Sequence, residues 1–243
     1  MSDRPYTILS CGMSLDGYIE DPDVHRLALS NALDFDRVDG VRAASDAILV
    51  GAATVRNDDP RLLIRSSDRR EQRLACGLPA FPMKVTVTRR GDLDPAAAFF
   101  ARDGADKLVY CDPAALTRLR ARVGRLAAVA PLAGGISGVS CDLFRRGVRR
   151  LLVEGGESLH TQFLAAGLAD ELQLVVAPIF VGDERARRFV GEGRFPWHRG
   201  SRAELAEVRQ IGDVALLRYA LSSRFQPSTD DAPAVRQGAG LSR

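Results

Sequence analysis

The stretch that decides the fold is LLVEGGESLHTQFL, residues 151–164. An apolar run and a glutamate lead into two glycines, and a pattern typical of a helix follows. Adjacent glycines carry a large backbone-entropy cost, so they usually serve a turn or a close approach of the backbone to another group. A strand that passes through such a turn into a helix can bind phosphate at the helix N-terminus. Two interpretations therefore stay open for Gly155 and Gly156: a tight connection or a phosphate-binding turn.

The composition is that of an ordinary globular protein and argues against several classes. Of 243 residues, 46% are hydrophobic and 27% are charged. The net charge of +3 and the 6% of aromatic residues give no sign of a nucleic-acid surface. No apolar run is long enough to span a membrane, and the N-terminus lacks the apolar segment of a signal peptide, so we expect a cytoplasmic protein. The four cysteines and three histidines lack zinc-binding spacing, so no metal site is expected.

Predicted strands and helices alternate along most of the chain. The apolar runs predict strands, the first from about Tyr6 to Met13, and the segments between them include predicted helices. The last two strands meet at Gly212-Asp213 as an antiparallel hairpin. The sequence therefore predicts one α/β domain over residues 1–221, with a mainly parallel sheet, flanking helices and an antiparallel edge.

Three local expectations are less regular. Arg61–Ile64 predicts a brief strand, and the polar segment 65–82 that follows predicts a surface excursion. A helix is expected to begin near Ser140. Residues 222–243 have little periodicity, two prolines and many small polar residues, which predicts a flexible C-terminal tail.

Three glycine-containing strand ends are candidates for one ligand site: Ser14–Gly17, Gly51–Thr54 and Glu154–Ser158. In an open α/β sheet, ligands bind at the carboxyl ends of the parallel strands, where such segments converge. None of the three has the spacing of a Rossmann or Walker fingerprint, so none identifies a nucleotide by itself.

Two adjacent acids form a further candidate. Asp58 and Asp59 follow the predicted strand AILVG by a few residues and lie among Arg56, Arg61 and Arg65. A solvated cluster of mutually neutralising charges would explain them. Their place just after a buried strand favours a site instead.

The ordered segments MSLDGYI, SDAILVG with its following T and DDPRLLIR, LLVEGGESL, and GLADELQLVVAPIFVG resemble the reductase domain of riboflavin biosynthesis. The resemblance covers about Tyr6 to Leu221. It implies a dihydrofolate-reductase-like fold, a homodimer, and reduction of a phosphoribosylamino-pyrimidine by NADPH. The chain lacks the H-x-E and P-C-x-x-C elements of the zinc deaminase that precedes this domain in bifunctional members, so we expect a stand-alone reductase.

The resemblance also implies site residues. Asp58 and Glu154 are the candidate catalytic acids, since either could relay a proton through water. Cofactor-binding positions are Gly12, Thr54, Asp58, Thr88, Arg89, Gly155, Gly156, Glu157, Ser158 and Leu159. Arg89, with Arg90, could meet the 2′-phosphate of NADPH, although surface arginines are an equally simple explanation. Substrate-binding positions are Ser30, Arg42, Leu62, Arg65 and Glu154, and the guanidinium of Arg42 suits a phosphate. His160 is either part of the cofactor segment or a helix-surface residue.

Two departures concern the substrate. Ser10 stands where the family usually has a lysine that contacts phosphate, and the usual tryptophan is absent near Ala28. A second enzyme hypothesis is therefore a relative that reduces a pterin, dihydrofolate or a specialised-metabolite ring. A third is a nucleotide-binding module without turnover, which the acids Asp58 and Glu154 argue against.

Overall fold

A computed structural model describes residues 3–24 and 27–227 of the chain. Nine strands form one sheet within these residues: β1 (Tyr6–Ser14), β2 (Ala47–Gly51), β3 (Met83–Thr88), β4 (Lys107–Cys111), β5 (Ala128–Pro131), β6 (Arg150–Val153), β7 (Glu171–Ala177), β8 (Glu204–Ile211) and β9 (Val214–Ala220). The helices are α1 (Ala32–Ala43), α2 (Ala52–Asp58), α3 (Ser67–Ala75), α4 (Leu116–Val123), α5 (Gly135–Arg145) and α6 (Glu157–Ala165). Short 3₁₀ turns lie at Ala98–Phe100 and Pro113–Ala115.

The sheet order is β5-β4-β3-β2-β6-β1-β7-β9-β8. The strands from β5 to β7 in this order pair in parallel, and β9 and β8 add antiparallel pairs at one edge. The predicted α/β class, parallel sheet and C-terminal hairpin are therefore confirmed. The parallel register places the carboxyl ends of β2, β3 and β6 side by side, and β1, which pairs in parallel with β6, ends at the same edge, so this edge carries all three glycine segments.

Two apolar layers enclose the sheet, because successive side chains of a strand point to opposite faces. Leu9 and Leu49 belong to the layer that α5 and α6 cover, whereas Ile8 and Ile48 belong to the layer that α2 and α4 cover. Both layers are fully buried at their centres. The continuous apolar runs of β2 and β6 thus reflect strands that are buried on both faces.

Two local predictions are wrong, those for Arg61–Ile64 and for the helix start near Ser140, and the one for residues 65–82 missed a helix. Arg61–Ile64 forms no strand, because Leu62 adopts a positive φ of 52° and the chain turns there. The segment 65–82 contains α3, which Ser66 caps by accepting a hydrogen bond from Arg69 N. Finally, α5 begins at Gly135 rather than near Ser140. Its buried positions Ile136, Val139 and Leu143 continue one helical face that the local glycines obscured.

The start of the predicted tail packs on the domain. Ser222 donates a hydrogen bond to the buried Asp170 carboxylate, and Gln226 N donates to the Tyr6 hydroxyl. Arg4 forms an ion pair with the same Asp170, so both ends of the described chain meet there. Residues 228–243 of the predicted tail lie outside the described residues, and the domain boundary at 221 stays a prediction.

Candidate active site

A cleft of about 930 Å³ opens at the carboxyl ends of β2, β3 and β6. Its walls come from α2 and the first turn of α6, and from the segment that follows β1. This is the place where ligands bind in open α/β sheets, since loops and helix N-termini converge there. The ends of three neighbouring parallel strands thus contribute residues to one cleft.

The first turn of α6 forms one end of the cleft. Gly156, Glu157, Ser158 and Leu159 all line it, and Gly156 is the N-cap. Glycine has no side chain to cap the helix, and Leu159 N already donates to the Gly156 carbonyl at 3.0 Å, so the N–H groups of Glu157 and Ser158 are the ones offered to a ligand. Together with the helix dipole, these groups favour a phosphate or another anion.

The two glycines before α6 have different roles. A Cβ on Gly155 would lie 2.5 Å from Leu159 Cδ1 and 3.2 Å from Gly51 N, so Gly155 lets α6 pack against the end of β2. A Cβ on Gly156 would meet only Ile19 Cδ1, at 3.8 Å, and Gly156 lines the cleft. Both interpretations from the sequence therefore apply, each to one glycine: Gly155 makes a tight connection, and Gly156 borders the ligand space.

The end of β3 supplies positive charge. Thr88, Arg89 and Arg90 line the cleft, and both arginines are exposed. The Thr88 hydroxyl accepts a hydrogen bond from Gly91 N at 3.1 Å, which fixes the turn that carries the arginines. Exposed guanidinium groups beside a cleft suit a second phosphate group.

Both candidate catalytic acids line the same cleft. Asp58 is the last residue of α2 and is exposed, and Glu154 directly follows β6. Thr54 and Leu62 line the cleft as well. Asp59, the neighbour of Asp58, instead accepts a hydrogen bond from Ala98 N at 2.7 Å and has a positive φ of 43°. The sharp turn after α2 therefore directs the two adjacent acids to different environments.

Glu154 is paired with Arg42. The guanidinium donates from Nε to Oε1 at 2.7 Å and from Nη2 to Oε2 at 2.6 Å. Its third contact is Nη1 to the Leu63 carbonyl at 3.2 Å. Burial is the largest single influence and lowers the pKa of Arg42, but the charge of Glu154, its hydrogen bonds and the charge of Asp39 together outweigh burial and raise it. The pair thus presents a fixed carboxylate to the cleft.

Comparison with known proteins identifies the family. The sequence profile described as the RibD C-terminal domain matches residues 5–217. The 2,5-diamino-6-ribosylamino-4(3H)-pyrimidinone 5′-phosphate reductase of Archaeoglobus fulgidus is 38% identical over 225 residues, which is 91% of this chain and 99% of that protein. This chain belongs to the RibD C-terminal domain family. The resemblance found in the sequence, and the oxidoreductase class that it implies, are confirmed.

A second relative and two solved structures are also similar to this chain. The reductase of the same description from Methanothermobacter thermautotrophicus is 31% identical, over 89% of this chain and 98% of that protein. Among solved structures, Acinetobacter baumannii RibD has a TM-score of 0.75 at 24% identity, over 90% of this chain and 58% of that chain. A pyrimidine reductase-like protein from Corynebacterium diphtheriae has a TM-score of 0.74 at 21% identity, over 89% of this chain and 91% of that chain. These structures share the fold.

Several implied site residues of the RibD-type domain lie away from the lining of the cleft. Gly12 packs against Leu29, where a Cβ would lie 3.2 Å from Leu29 Cβ. Ser30 donates its hydroxyl to Asp34, and Arg65 lies over the ring of Phe35 at 5.2 Å. Arg42 reaches the cleft only through Glu154, and Gly155 lies behind the first turn of α6. Their assignments to cofactor or substrate stay predictions.

Two loops that sequence reasoning missed also line the cleft. Ile19, Glu20 and Leu27 come from the segment after β1, and Arg187 comes from the long connection between β7 and β8. Asp16 joins these loops, because its carboxylate accepts hydrogen bonds from Val181 N and Gly182 N. The Asp16-Gly17 turn was visible in the sequence, but its partner 165 residues away was not.

His160 is a core residue rather than a helix-surface or cofactor residue. Its side chain is 2% exposed, and Nδ1 lies 3.2 Å from the Phe189 carbonyl. Burial lowers the pKa of His160 to about 4, so the ring is neutral at physiological pH. Glu157, on the same helix, accepts a hydrogen bond from Arg188 N at 3.0 Å, so its carboxylate holds the β7–β8 connection.

Two kinds of feature were sought in the described residues, 3–24 and 27–227, and neither was found. No group of three or more histidine, cysteine or acidic side chains is placed to hold a metal ion in that part of the chain. No helix there is both long and apolar enough to cross a membrane.

Proposed function

We propose that this chain is an NADPH-dependent reductase that acts on 2,5-diamino-6-ribosylamino-4(3H)-pyrimidinone 5′-phosphate or a close phosphoribosylamino-pyrimidine. One observation carries the proposal: Asp58, Glu154 and the open first turn of α6 line a single cleft. The 38% identical relative supports the diamino substrate rather than the deaminated uracil compound. The cleft thus has an anion-binding end for a dinucleotide and acidic groups for a polar substrate.

NADPH, when held at the first turn of α6, would supply the hydride that reduces C1′ of the ribose in the imine form of the ribosylamine. The C=N bond becomes a C–N single bond, and the attached nitrogen must take up one proton. The chain provides position and charge for this step. In our proposal Asp58, which is exposed at the end of α2, relays that proton through water, and Glu154 contacts the substrate.

The proposed cofactor contacts follow the geometry of the cleft. The first-turn N–H groups of α6, beside Gly156, bind the diphosphate. Thr54 and Leu159 border the same space. Arg89, with Arg90, binds the 2′-phosphate that distinguishes NADPH from NADH. If so, Arg89→Ala weakens NADPH binding and leaves NADH binding nearly unchanged, which fluorescence titration with both cofactors measures.

The implied homodimer is part of the proposal, and so is the cytoplasmic location. Light scattering on the purified chain measures the mass directly, and a monomeric mass at micromolar concentration would reject the dimer.

Turnover tests the function. The purified protein is mixed with NADPH and, in separate reactions, the diamino pyrimidinone phosphate, its deaminated uracil counterpart and dihydrofolate. We expect loss of nicotinamide absorbance with the first, and less with the others. Tight NADPH binding without consumption of any substrate would leave only the binding-module hypothesis. Turnover of dihydrofolate alone would favour the pterin alternative.

Asp58→Asn tests the proton relay. We expect kcat to fall by about 100-fold or more, because a positioned acid or base contributes a factor of that size. The dissociation constant for NADPH should change little. Asp59→Asn is the matched control. The new asparagine keeps an acceptor for Ala98 N, and position 59 lies outside the proposed relay. Equal losses of kcat and of NADPH affinity would assign Asp58 to the cofactor instead.

A further inference from the structure

Two loops meet at the cleft through an exposed ion pair. Glu20 belongs to the segment after β1, Arg187 belongs to the β7–β8 connection, and both line the cleft. Arg187 Nε lies 3.4 Å from Glu20 Oε1, and the two side chains are 52% and 39% exposed. Within the described residues, the Arg187 guanidinium has no other ion pair or hydrogen bond. An exposed pair of this length contributes little, so a better-matched anion can replace Glu20.

The backbone of Arg187 lies beside the first turn of α6. Its carbonyl accepts a hydrogen bond from Ile19 N at 2.9 Å. Ile19 Cδ1 in turn is the atom that a Cβ on Gly156 would meet, at 3.8 Å. On the other side, Arg188 N donates to Glu157 Oε2 at 3.0 Å. The chain on both sides of Arg187 is therefore in contact with the turn where the diphosphate is proposed to bind.

One polar face of α6 fixes this part of the β7–β8 connection. Glu157, His160 and Thr161 have the i, i+3, i+4 spacing of one helix face. Their side chains contact the backbone of residues 188–191, through a carboxylate at 3.0 Å, a ring nitrogen at 3.2 Å and a hydroxyl at 2.8 Å. The helix that offers N–H groups to an anion thus also determines where Arg187 stands.

The charges around the α6 end of the cleft leave Arg187 a distinct part. Glu20, Asp21 and Glu157 all line the cleft there, and their carboxylates disfavour an anion. The other lining arginines of the described chain come from α2 and the turn after β3: Arg56, Arg89 and Arg90. Arg187 is therefore the lining cation that this end of the described chain supplies to an anionic ligand.

We propose that Arg187 binds the diphosphate of the dinucleotide cofactor, together with the N–H groups of Glu157 and Ser158. The guanidinium leaves Glu20 for the phosphate oxygens, because its planar fork of donors matches two of them at once. Binding then ties the β7–β8 connection to the cofactor. This proposal rests on the proposed reductase function, and it concerns cofactor affinity rather than the hydride-transfer step.

Arg187→Met tests the contact through cofactor binding. Calorimetric titration measures Kd for NADPH, for NADH and for adenosine 2′-phosphate, which lacks a diphosphate. We expect Kd for both dinucleotides to rise by the same factor, about 10-fold or more, because a hydrogen bond to a charged group is worth at least this much. Kd for adenosine 2′-phosphate should stay unchanged. Because the side chain is exposed, the melting temperature should stay unchanged as well.

Arg185→Met is the matched control. Arg185 lies two residues earlier in the same connection, and its Nη2 is 3.4 Å from Asp23 of the segment after β1. Unlike Arg187, it does not line the cleft. Kd for all three ligands should therefore stay unchanged. A rise in Kd equal to that of Arg187→Met would overturn the proposal, since the lower net charge alone would then explain both.

Glu20→Gln tests the exchange of partners. The amide removes the charge that competes with a phosphate for Arg187, so Kd for NADPH and NADH should fall by about 2- to 3-fold, as expected for an exposed pair. A rise in Kd would contradict the exchange, because Glu20 would then hold Arg187 in its binding position.

These binding measurements are independent of turnover. Normal cofactor binding without turnover in the unmutated protein would reject the proposed reaction and leave the role of Arg187 standing. Unchanged Kd for both dinucleotides in Arg187→Met would overturn that role. So would a rise for NADPH alone, which would assign Arg187 to the 2′-phosphate, or a rise only in KM for the phosphorylated substrate. An unmutated protein that binds neither dinucleotide would overturn it too.

Discussion

Helices α1 and α6 border the two sides of the Glu154 region, and they are held by different forces. The buried residues of α6 are Leu159, His160, Phe163 and Leu164, which pack into an apolar layer. The buried residues of α1 are Asp34 and Asp39, and its apolar Leu33 and Phe35 are exposed. One helix is therefore attached mainly by apolar burial, and the other by ion pairs and hydrogen bonds.

This difference matches what each helix offers the cleft. An apolar attachment is non-directional, and α6 presents backbone N–H groups whose direction the helix itself sets. A polar attachment is directional, and Arg42 of α1 donates two hydrogen bonds to one carboxylate, that of Glu154. We therefore expect exchanges of apolar residues on α6 to be tolerated better than exchanges of polar residues on α1.

The largest expected effect contrasts the same substitution on both helices. Phe163→Ala on α6 should lower the free energy of unfolding by about 3–5 kcal/mol, because the ring is fully buried. Phe35→Ala on α1 should lower the free energy of unfolding by much less, since Phe35 is 44% exposed. Urea denaturation measures both. Equal losses would mean that α1 is also attached through apolar contacts.

The second effect is the pH dependence that His160 gives to α6. Its folded-state pKa of about 4 lies below the ordinary 6.5, so the unfolded chain binds more protons between these values. Stability from this residue is complete above pH 6.5 and falls as the pH drops towards 4, by about 3 kcal/mol in total. His160→Gln should flatten the pH dependence of unfolding in this window. An unchanged slope would contradict the burial of a neutral ring.

The third prediction compares the effects of replacing Gly155 and Gly156 by alanine. Gly155→Ala should destabilise the protein by about 2 kcal/mol, because the new Cβ would overlap Leu159. Gly156→Ala should leave the melting temperature unchanged, since its Cβ has room and its φ of −67° suits alanine. It should instead weaken NADPH binding, which fluorescence quenching measures. Unchanged NADPH affinity in Gly156→Ala would remove the diphosphate from this turn.

The smallest expected effect concerns the polar attachment of α1. Asp39→Asn should cost about 1–2 kcal/mol, because the amide keeps one acceptor for the Arg65 and Ser66 N–H groups but loses the charge. Asp36→Asn is the control, as Asp36 pairs with the same Arg69 but is 69% exposed. Its effect should be close to zero. A larger loss of stability for Asp36→Asn than for Asp39→Asn would contradict the view that the buried Asp39 provides the main polar attachment of α1.

The predicted part of the fold consists of the elements with a clear apolar period. The strands from β1 to β9, and helices such as α4 and α6, follow from continuous or periodic apolar runs. Helix α3 escaped prediction because its surface is almost wholly charged, and only the Ser66 cap marked its start. The strand predicted at Arg61–Ile64 does not form, because tertiary contacts rather than propensity impose a left-handed backbone on Leu62.

Many of the site residues that the family resemblance implied lie together. Thr54, Asp58, Leu62, Thr88, Arg89, Glu154 and the residues from Gly156 to Leu159 all line one cleft. The loops that carry Ile19 and Arg187 were missed, since their place depends on the Asp16 hydrogen bonds to a distant segment. The homodimer and the substrate stay predictions.

The α/β class, the alternation of strands and helices along the chain, and membership of the RibD C-terminal family follow from the sequence, because they depend on apolar period and on motifs that are local in the chain. Two features follow only from the folded chain. Gly155 packs against Leu159 while Gly156 borders the ligand space, and Arg42 pairs with Glu154, 112 residues away in the sequence. The physical reason is that a directional contact between polar groups requires both partners in position. No pattern along a single strand or helix specifies where the second partner will lie.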